Sequence, residues 1–433
     1  MRRSGLVKLF WNSLNLLIIS ILLSTQCFAA TVLQQNFSRN DDSTAGSLGA
    51  STTVYYTLGG NMQMLNSATE SRKAVTHRAA GTFSNLYINI LTNDRAASTF
   101  RTRKATANAN LVVSITGSTT GKFEDTSNTD AVTAGDDWHC SIVTGAGGTV
   151  FTFSTYSVLF AATTNTVMRG GFVELSFTQA SSTIPFCIWG NTFFSAGDTD
   201  ANVGTTYRTA GTLNNLLVNI RFNDRTTTSS FRSRLNSANG GLLISVTGGT
   251  SGILEDTANS DTIASGDLVN FAYISGTGTE TMAVNGVTAD FVSTNGKQMY
   301  VLAQGNGQAQ TAGLTRYYGF AGRPFPQATE SNTIAESNLA FTLSNLQINV
   351  TAYTIVGNST LTLRKNSAAG NSTVSIPGTG ITQDTTNSDV IVATDTLNYE
   401  LVTPSVVTSM TFKNISVVGD STVAAARRVM LAS

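Results

Sequence analysis

The chain has 433 residues with 26 basic and 26 acidic side chains, and only 12% of its residues are charged. Because soluble proteins carry about 25% charged residues, the polar surface here must consist of Thr, Ser, Asn and Gly, which suit strands and turns better than helix interiors. The balanced charge excludes attraction of nucleic acid or an anionic membrane by bulk charge. The length predicts about two to four domains.

Residues 1–30 have the layout of a secretory signal peptide, with a basic start, a short apolar run at 14–23 and a cleavage site at Cys27, Ala29 and Ala30. The run is shorter than the roughly 20 residues of a membrane span. We expect cleavage after Ala29. The segment contains three basic residues and no acidic one, so its removal leaves 23 basic against 26 acidic residues. The mature protein is predicted to be secreted or displayed at the cell surface, without a membrane span.

One unit is repeated three times along the chain. The segment Gly81–Ile90 (GTFSNLYINI) recurs as Gly211–Ile220 (GTLNNLLVNI) and as Phe341–Val350 (FTLSNLQINV), at intervals of 130 residues. A unit of about 130 residues is large enough to own a core, whereas solenoid repeats are much shorter. The predicted domains are 31–168, 169–299 and 300–425.

Each unit is predicted to consist of strands joined by Gly-, Asn- and Thr-rich turns. Leu86, Ile88 and Ile90 alternate with Tyr87 and Asn89, and the later units keep the apolar positions. This period of two is typical of a half-buried strand. With no amphipathic helical stretch, the pattern predicts an all-β chain of three tandem β-sandwich domains of jelly-roll type.

Further motifs follow this strand in the same order in each unit, with substitutions. In the first unit they are Phe100-Arg-Thr-Arg103, Val113-Ser-Ile-Thr-Gly117, Glu124-Asp-Thr-Ser-Asn-Thr-Asp130 and Gly135-Asp136. The run is similar to repeats in uncharacterised secreted bacterial and phage structural proteins. Its strand order resembles the jelly rolls of the tumour-necrosis-factor and complement C1q class. The resemblance implies a jelly-roll fold and brings no catalytic residue with it.

The acidic segment contains a candidate calcium site at Asp125, Asn128 and Asp130. Calcium prefers oxygen ligands of this kind, but Asp and Asn also cap turns by bonding their own backbone. The third unit keeps Asp384 and Asn387, which fits both interpretations. The spacing is not that of a helical calcium loop, so we predict turn chemistry, a dispensable calcium ion and no cofactor.

A polar triplet follows the first long strand in two of the units and is a candidate surface contact. The triplets are Asn93, Asp94 and Arg95 in the first unit and Asn223, Asp224 and Arg225 in the second. The third unit has no such triplet, so a role in the shared fold is not expected.

Residues suited to catalysis are scarce. Arg103, Arg234 and Arg364 recur in a strand and are expected to pair with a repeated aspartate of their own unit, with an anion site as the alternative. The mature chain has only His77 and His139, too few for a Ser–His–Asp triad or a histidine metal site. No enzyme is predicted.

Aromatic and thiol side chains are assigned to the cores. Trp138 aligns with Val269 and Leu397, which disfavours a sugar-stacking role. Cys140 and Cys187 align with aromatic residues of the other units. We predict two buried thiols in different domains rather than a disulfide.

Three copies of a neutral, Thr-rich β domain suit display, adhesion or assembly, because repetition multiplies weak contacts and edge strands can pair between molecules. We predict a non-catalytic secreted or cell-surface structural protein that is able to self-assemble. The alternatives are an array of carbohydrate-binding modules and, third, a secreted hydrolase. Expected partners are other copies of the protein, surface glycans or surface proteins.

Overall fold

A computed structural model describes most of the chain from Ala30 onward as antiparallel strands. The described residues are 30–37, 48–58, 67–162, 167–170, 175–187, 199–321, 326–337, 340–404 and 408–420. The predicted signal peptide lies outside them except for Ala30, where the first strand begins. Cleavage after Ala29 would leave that strand whole.

The first unit comprises strands β1 to β9. They are β1 (Ala30–Phe37), β2 (Thr53–Thr57), β3 (Val75–Thr76), β4 (Gly81–Asn93), β5 (Ser98–Lys104), β6 (Ala107–Ile115), β7 (Gly121–Val132), β8 (Asp137–Val143) and β9 (Phe151–Ala162). Its large sheet has the order β1-β9-β4-β7. Its small sheet has the order β2-β8-β5-β6, with the short β3 also paired to β8.

The second and third units repeat this plan. The second contains β10 (Val167–Gly170), β11 (Leu175–Phe177), β12 (Thr183–Phe186), helix α1 (Asp200–Val203), β13 (Thr205–Thr206), β14 (Gly211–Asn223), β15 (Ser229–Leu235), β16 (Ala238–Val246), β17 (Gly252–Ile263), β18 (Leu268–Ile274) and β19 (Met282–Ser293). The third contains β20 (Gln298–Thr311), β21 (Thr315–Tyr318), β22 (Ala335–Glu336), β23 (Phe341–Tyr353), β24 (Ser359–Lys365), β25 (Ala368–Ile376), β26 (Gly380–Ile391), β27 (Thr396–Val402) and β28 (Ser409–Asp420).

Strand order is the same in all three units. The large sheets are β10-β19-β14-β17 and β20-β28-β23-β26, and the small sheets are β12-β18-β15-β16 and β21-β27-β24-β25. Two antiparallel sheets, each with a main path of four strands, form a jelly roll when they are connected in this way. The predicted all-β fold of three tandem jelly-roll-like sandwiches is confirmed.

The boundaries predicted for the domains, 31–168, 169–299 and 300–425, stay a prediction. Strand β10, which pairs within the second unit, begins at Val167, and β20 of the third unit begins at Gln298. The strands therefore pass from one unit to the next with little intervening chain. None of the helices in these described ranges has the length and apolar character that crossing a bilayer requires.

An apolar core lies between the two sheets of each unit. The strand predicted from Leu86, Ile88 and Ile90 is β4, and all three side chains are buried. Trp138 and Cys140 of β8 join the same core, as predicted. Burying each large apolar side chain contributes roughly 1.5–3 kcal/mol, and such burial is the dominant favourable contribution to folding.

The two thiols lie in separate cores. Cys140 belongs to the core of the first unit and Cys187 to that of the second. Both are buried and free. This placement agrees with the small apolar role predicted for them.

The acidic segment predicted as a turn is in fact part of a strand. β7 runs through it, and residues 126–128 bulge opposite Asn85 of β4. Asn85, Asn215 and Asn345 stand at equivalent positions with φ angles of 50°, 51° and 56°. Because Asn tolerates left-handed backbone better than most residues, the bulge explains the repeated Asn of the strand motif. Asp, Asn and Thr suit a bulge as well as a turn, so composition alone does not distinguish them.

One core position exchanges large and small residues between units. A Cβ on Gly211 would lie 2.5 Å from the ring of Phe291, so glycine there makes room for the aromatic side chain. In the third unit Phe341 and Gly419 occupy these two positions. The Phe341 ring packs against Tyr300 with centroids 5.8 Å apart. In the second unit β19 supplies the aromatic side chain at this place in the core, whereas in the third unit the neighbouring strand β23 supplies it.

Candidate functional site

Asp125 fixes the bulge of β7 and ties it to the small sheet. Its carboxylate accepts hydrogen bonds from the backbone and side-chain amides of Asn128 and from the backbone N–H of Val112 in β6, at 2.9–3.1 Å. Asp256 and Asp384 accept the equivalent bonds in the other units. Burial opposes ionisation, but these hydrogen bonds outweigh it and hold the pKa of Asp125 below its usual range.

Asp130 makes a second tie between the same strands. It accepts hydrogen bonds from the Thr102 hydroxyl at 2.5 Å and the Asn110 backbone N–H at 2.6 Å. Asn128 turns its N–H donors, not its carbonyl oxygen, toward Asp125. Within the described parts of the chain, no group of three or more His, Cys, Asp or Glu side chains is arranged to hold a metal ion. The hydrogen bonds favour the structural interpretation, and the dispensability of calcium stays a prediction.

The first polar triplet lies mostly inside the molecule. Asn93 and Arg95 are 9% and 4% exposed. The Arg95 guanidinium donates to the carbonyl oxygens of Leu48 and Gly147 at 2.7 Å each. Asp94 is exposed, and its carboxylate accepts hydrogen bonds from the backbone of a neighbouring loop. Asn93 and Arg95 hold loops together, which corrects their predicted surface role.

The second triplet has the same structure. Arg225 is buried and donates to the carbonyl oxygens of Gln179 and Glu280 at 2.8 Å each. Asn223 is also buried, so neither side chain is available to a partner, and only Asp224 is exposed. The polar character of the triplet reflects buried backbone carbonyls that need donors.

The repeated arginines pair with an acidic residue of their own unit, as expected, but the partner is not in the acidic segment. The pairs are Arg103–Glu70 at 2.5 Å, Arg234–Asp200 at 2.7 Å and Arg364–Glu330 at 2.9 Å. The acidic partners recur every 130 residues. This signal is weak in the sequence because the second unit has aspartate where the others have glutamate. Each guanidinium is neutralised within its unit.

The units contact one another in one direction. The docking surface of a unit is the segment 70–78, 200–208 or 330–337, which surrounds the short third strand or its equivalent. The receiving face is the outward side of the large sheet. The first junction places the docking surface of the first unit on the receiving face of the second. The second junction places the second unit on the third, and the third junction places the third unit on the first.

The first junction contains an ion pair. The Arg78 guanidinium lies 2.6 Å from the Glu255 carboxylate on β17. The side-chain amide of Asn285 on β19 donates to the carbonyl oxygen of Ser71 at 3.3 Å. The first unit therefore touches both an edge strand and an inner strand of the second.

The second junction uses equivalent positions with different residues. The Arg208 guanidinium donates to the side-chain oxygens of Gln347 and Gln383. The Lys413 ammonium donates to the carbonyl oxygen of Ala201 at 2.7 Å, where the first junction has an amide. The contacts lie at the same positions as in the first junction, but neutral amides replace the carboxylate that binds the arginine there.

The third junction closes the cycle. Glu336 of the third unit forms an ion pair with Lys122 on β7 of the first. Leu159 of β9 is buried within the apolar cluster of the third unit. Here the docking surface carries the anion and the receiving face the cation, the reverse of the first junction.

The receiving faces are covered. Ser157, Thr288 and Ser416 occupy equivalent positions that alternate with core residues, yet each is at most 2% exposed. In β20, Met299 and Val301 belong to the apolar cluster of the second unit although the strand pairs within the third. Three heterologous contacts that close after three units form a ring.

The first junction also encloses a carboxylate. Asp290 on β19 is buried and accepts a hydrogen bond from the Asn215 amide at 2.9 Å. Burial raises the pKa of Asp290 to about 6, assisted by the charge of Glu255 and opposed by Asn215 and Arg78. Apolar residues stand at the equivalent positions of the other units. The first junction therefore has an ionisable group at a position where the other two junctions have an apolar side chain.

The repeat pattern does not predict the junction residues. Glu124, Glu255 and Gln383 stand at equivalent positions. Glu255 forms an ion pair with an arginine of the first unit, whereas Gln383 accepts a hydrogen bond from an arginine of the second unit. The available signal is a change of chemistry between otherwise similar copies, which marks surfaces that face different neighbours.

Similarity to known proteins is confined to solved structures. No family model matches the sequence, and no curated protein is similar to it. A solved structure described as "The Triple Jelly Roll Fold and Turret Assembly in an Archaeal Virus" is similar over 90% of this chain and 97% of its own, with 12% identity and a TM-score of 0.18. A TM-score this low adds nothing to the strand order, on which the jelly-roll description rests.

Proposed function

We propose that the protein is a non-catalytic structural protein, secreted or displayed at the cell surface, whose single chain supplies a ring of three jelly-roll units as a building block. The observation that carries the proposal is the closed cycle of junctions. A ring closed within one chain has a fixed size. Its three similar units offer repeated outer surfaces for contacts with other particles.

The reactive side chains support this role because the fold itself uses them. His77 and His139 are both buried, which removes them as accessible general bases. The carboxylates of Asp125 and Asp130 bind donors of their own unit, and Glu70 pairs with an arginine. We therefore propose no enzymatic activity.

Light scattering and negative-stain electron microscopy of the mature protein test the proposal. We expect compact three-lobed particles that join into rods or sheets as concentration rises. Particles that stay monomeric at every concentration and bind a glycan array would support the carbohydrate-binding alternative instead. Trp138, the aromatic side chain considered for sugar stacking, is buried, which disfavours that role for it.

A further inference from the structure

The ring is closed by units that are not consecutive in the chain. The first and second junctions join units linked by the short segments 163–166 and 294–297. The third joins Lys122 to Glu336, which are 214 residues apart. A heterologous contact of this kind closes a ring within one chain or joins one chain to the next.

Charge affects which docking surface fits which receiving face. Lys122, the partner of Glu336, has the apolar counterparts Ile253 and Ile381 on the receiving faces of the second and third units, so those faces offer Glu336 no cation at this position. Arg78 of the first unit, by contrast, would meet Glu124, the counterpart of Glu255, on the receiving face of another first unit, so this docking surface is not excluded by charge. The third unit is complementary to the first because Glu336 and Lys122 attract. A complementary charge pair that is present at one receiving face favours that pairing over the others.

The closing contact combines an exposed and a buried part. The Lys122 side chain is 36% exposed, and Glu336 is 12% exposed. Exposed ion pairs contribute little to the strength of a contact. The main role of this pair is therefore to select the partner through complementary charge. Leu159, buried among residues of the third unit, supplies apolar contact. Such a junction can open while the cores of the units stay folded.

We propose that the third junction is an exchange site for a second copy of this chain. The docking surface of the third unit of one copy binds the receiving face of the first unit of another, through Lys122, Glu336 and Leu159. This inference rests on the proposed function, because it names a surface through which chains assemble when the third junction of the ring opens.

Two singly reversed chains, Lys122→Glu and Glu336→Lys, test the exchange. Each variant opposes like charges within its own third junction, but each complements the other in both directions. Equimolar mature chains are mixed, warmed to just below the unfolding transition and cooled, and native mass spectrometry counts the chains per particle. Circular dichroism confirms that each variant is folded.

We expect most of the mixed protein to form particles with one chain of each variant, and each variant alone to form few dimers. Glu124 lies 3.3 Å from Lys122 and will attract the new lysine of the Glu336→Lys chain, so Lys122→Glu should be the more open variant. The doubly reversed chain should return to a closed monomer. The matched control is Lys104→Glu, since Lys104 pairs with Asp136 of its own unit at 2.6 Å.

A mixture that yields no mixed particles, although the doubly reversed chain is folded and compact, would overturn the proposal. Isotope-labelled and unlabelled wild-type chains give a readout that no variant can disturb: dimers of mixed mass are expected after warming, and their absence counts against exchange. Mixed particles without wild-type polymers would leave the exchange site standing and remove the proposed structural function. Polymers without exchange would place assembly at another surface.

Discussion

The inside of each unit and the junctions between units differ in how they use the repeat. Inside, Asp125, Asp256 and Asp384 accept the same hydrogen bonds three times. At the junctions, Glu255 binds an arginine, whereas Gln383 at the equivalent position accepts from an arginine as a neutral amide. The comparison indicates that residues repeated in all three units stabilise the fold of each unit, whereas residues that differ between units determine which other unit each one contacts.

Removing one of the shared carboxylates should have the largest effect. Asp256→Ala leaves the backbone N–H of Leu243 and both amides of Asn259 without their acceptor. Several hydrogen bonds to a charged acceptor are lost, but Leu243 and Asn259 are exposed and water can replace part of the loss, so the free energy of unfolding should fall by about 2–4 kcal/mol. Denaturant unfolding measures it. Asp125→Ala and Asp384→Ala should cost similar amounts, and a loss confined to one unit would break the comparison.

The first junction should depend on pH through Asp290. Its pKa is raised from 3.8 to about 6 by burial, so protonation stabilises the folded ring. The stabilisation is fully present below about pH 3.8 and is lost as pH rises through about 6. Asp290→Asn should therefore stabilise the protein by up to about 2–3 kcal/mol at pH 7.5 and leave it unchanged near pH 3.5.

Calorimetry at the two pH values measures the effect of Asp290→Asn. The control is Asp224→Asn, which changes an exposed carboxylate and should have no comparable effect. An equal stability change at both pH values would mean that Asp290 does not titrate between them.

The size exchange in the core should be reproducible between units. Gly211→Phe should destabilise the protein by about 1–3 kcal/mol, because the new side chain collides with Phe291. Adding Phe291→Gly recreates the combination of the third unit, with Phe341 and Gly419, and should recover part of the loss. Thermal unfolding of the single and double variants gives the coupling. A strictly additive result would show that the two positions do not compensate.

Calcium removal should have the smallest effect. The oxygens of Asp125 and Asp130 already accept N–H and O–H donors, so a chelator should leave the melting temperature unchanged. A chelator-induced decrease that calcium reverses, and that disappears in the Asp125→Asn/Asp130→Asn chain, would restore the metal hypothesis.

Sequence reasoning succeeds where the repeat constrains a residue locally. The strand of Leu86, Ile88 and Ile90 and its burial follow from a period of two that is kept three times. The pairing of Arg103 within its unit also follows, although its partner Glu70 does not, since it lies 33 residues away. The local sequence pattern predicts which face of a strand is buried, but it does not predict which residue far away in the sequence a side chain contacts.

The loop arginines and the junctions show why the rest could not be predicted. Arg95 looks like a surface residue because it is charged, yet carbonyl oxygens of distant loops surround it. Lys122 has its partner Glu336 in another unit. Neither contact leaves a spacing or period in the sequence.

Zero-length carbodiimide coupling of the dilute protein tests the closed ring most directly, because it joins a lysine to a carboxylate only when they are in contact. Peptide mass spectrometry of the monomer fraction should show an intrachain amide between Lys122 and Glu336. Lys104 and Asp136, 2.6 Å apart within the first unit, serve as the internal control. The closed ring predicts both cross-links. Coupling of Lys104 to Asp136 without coupling of Lys122 to Glu336 would contradict it.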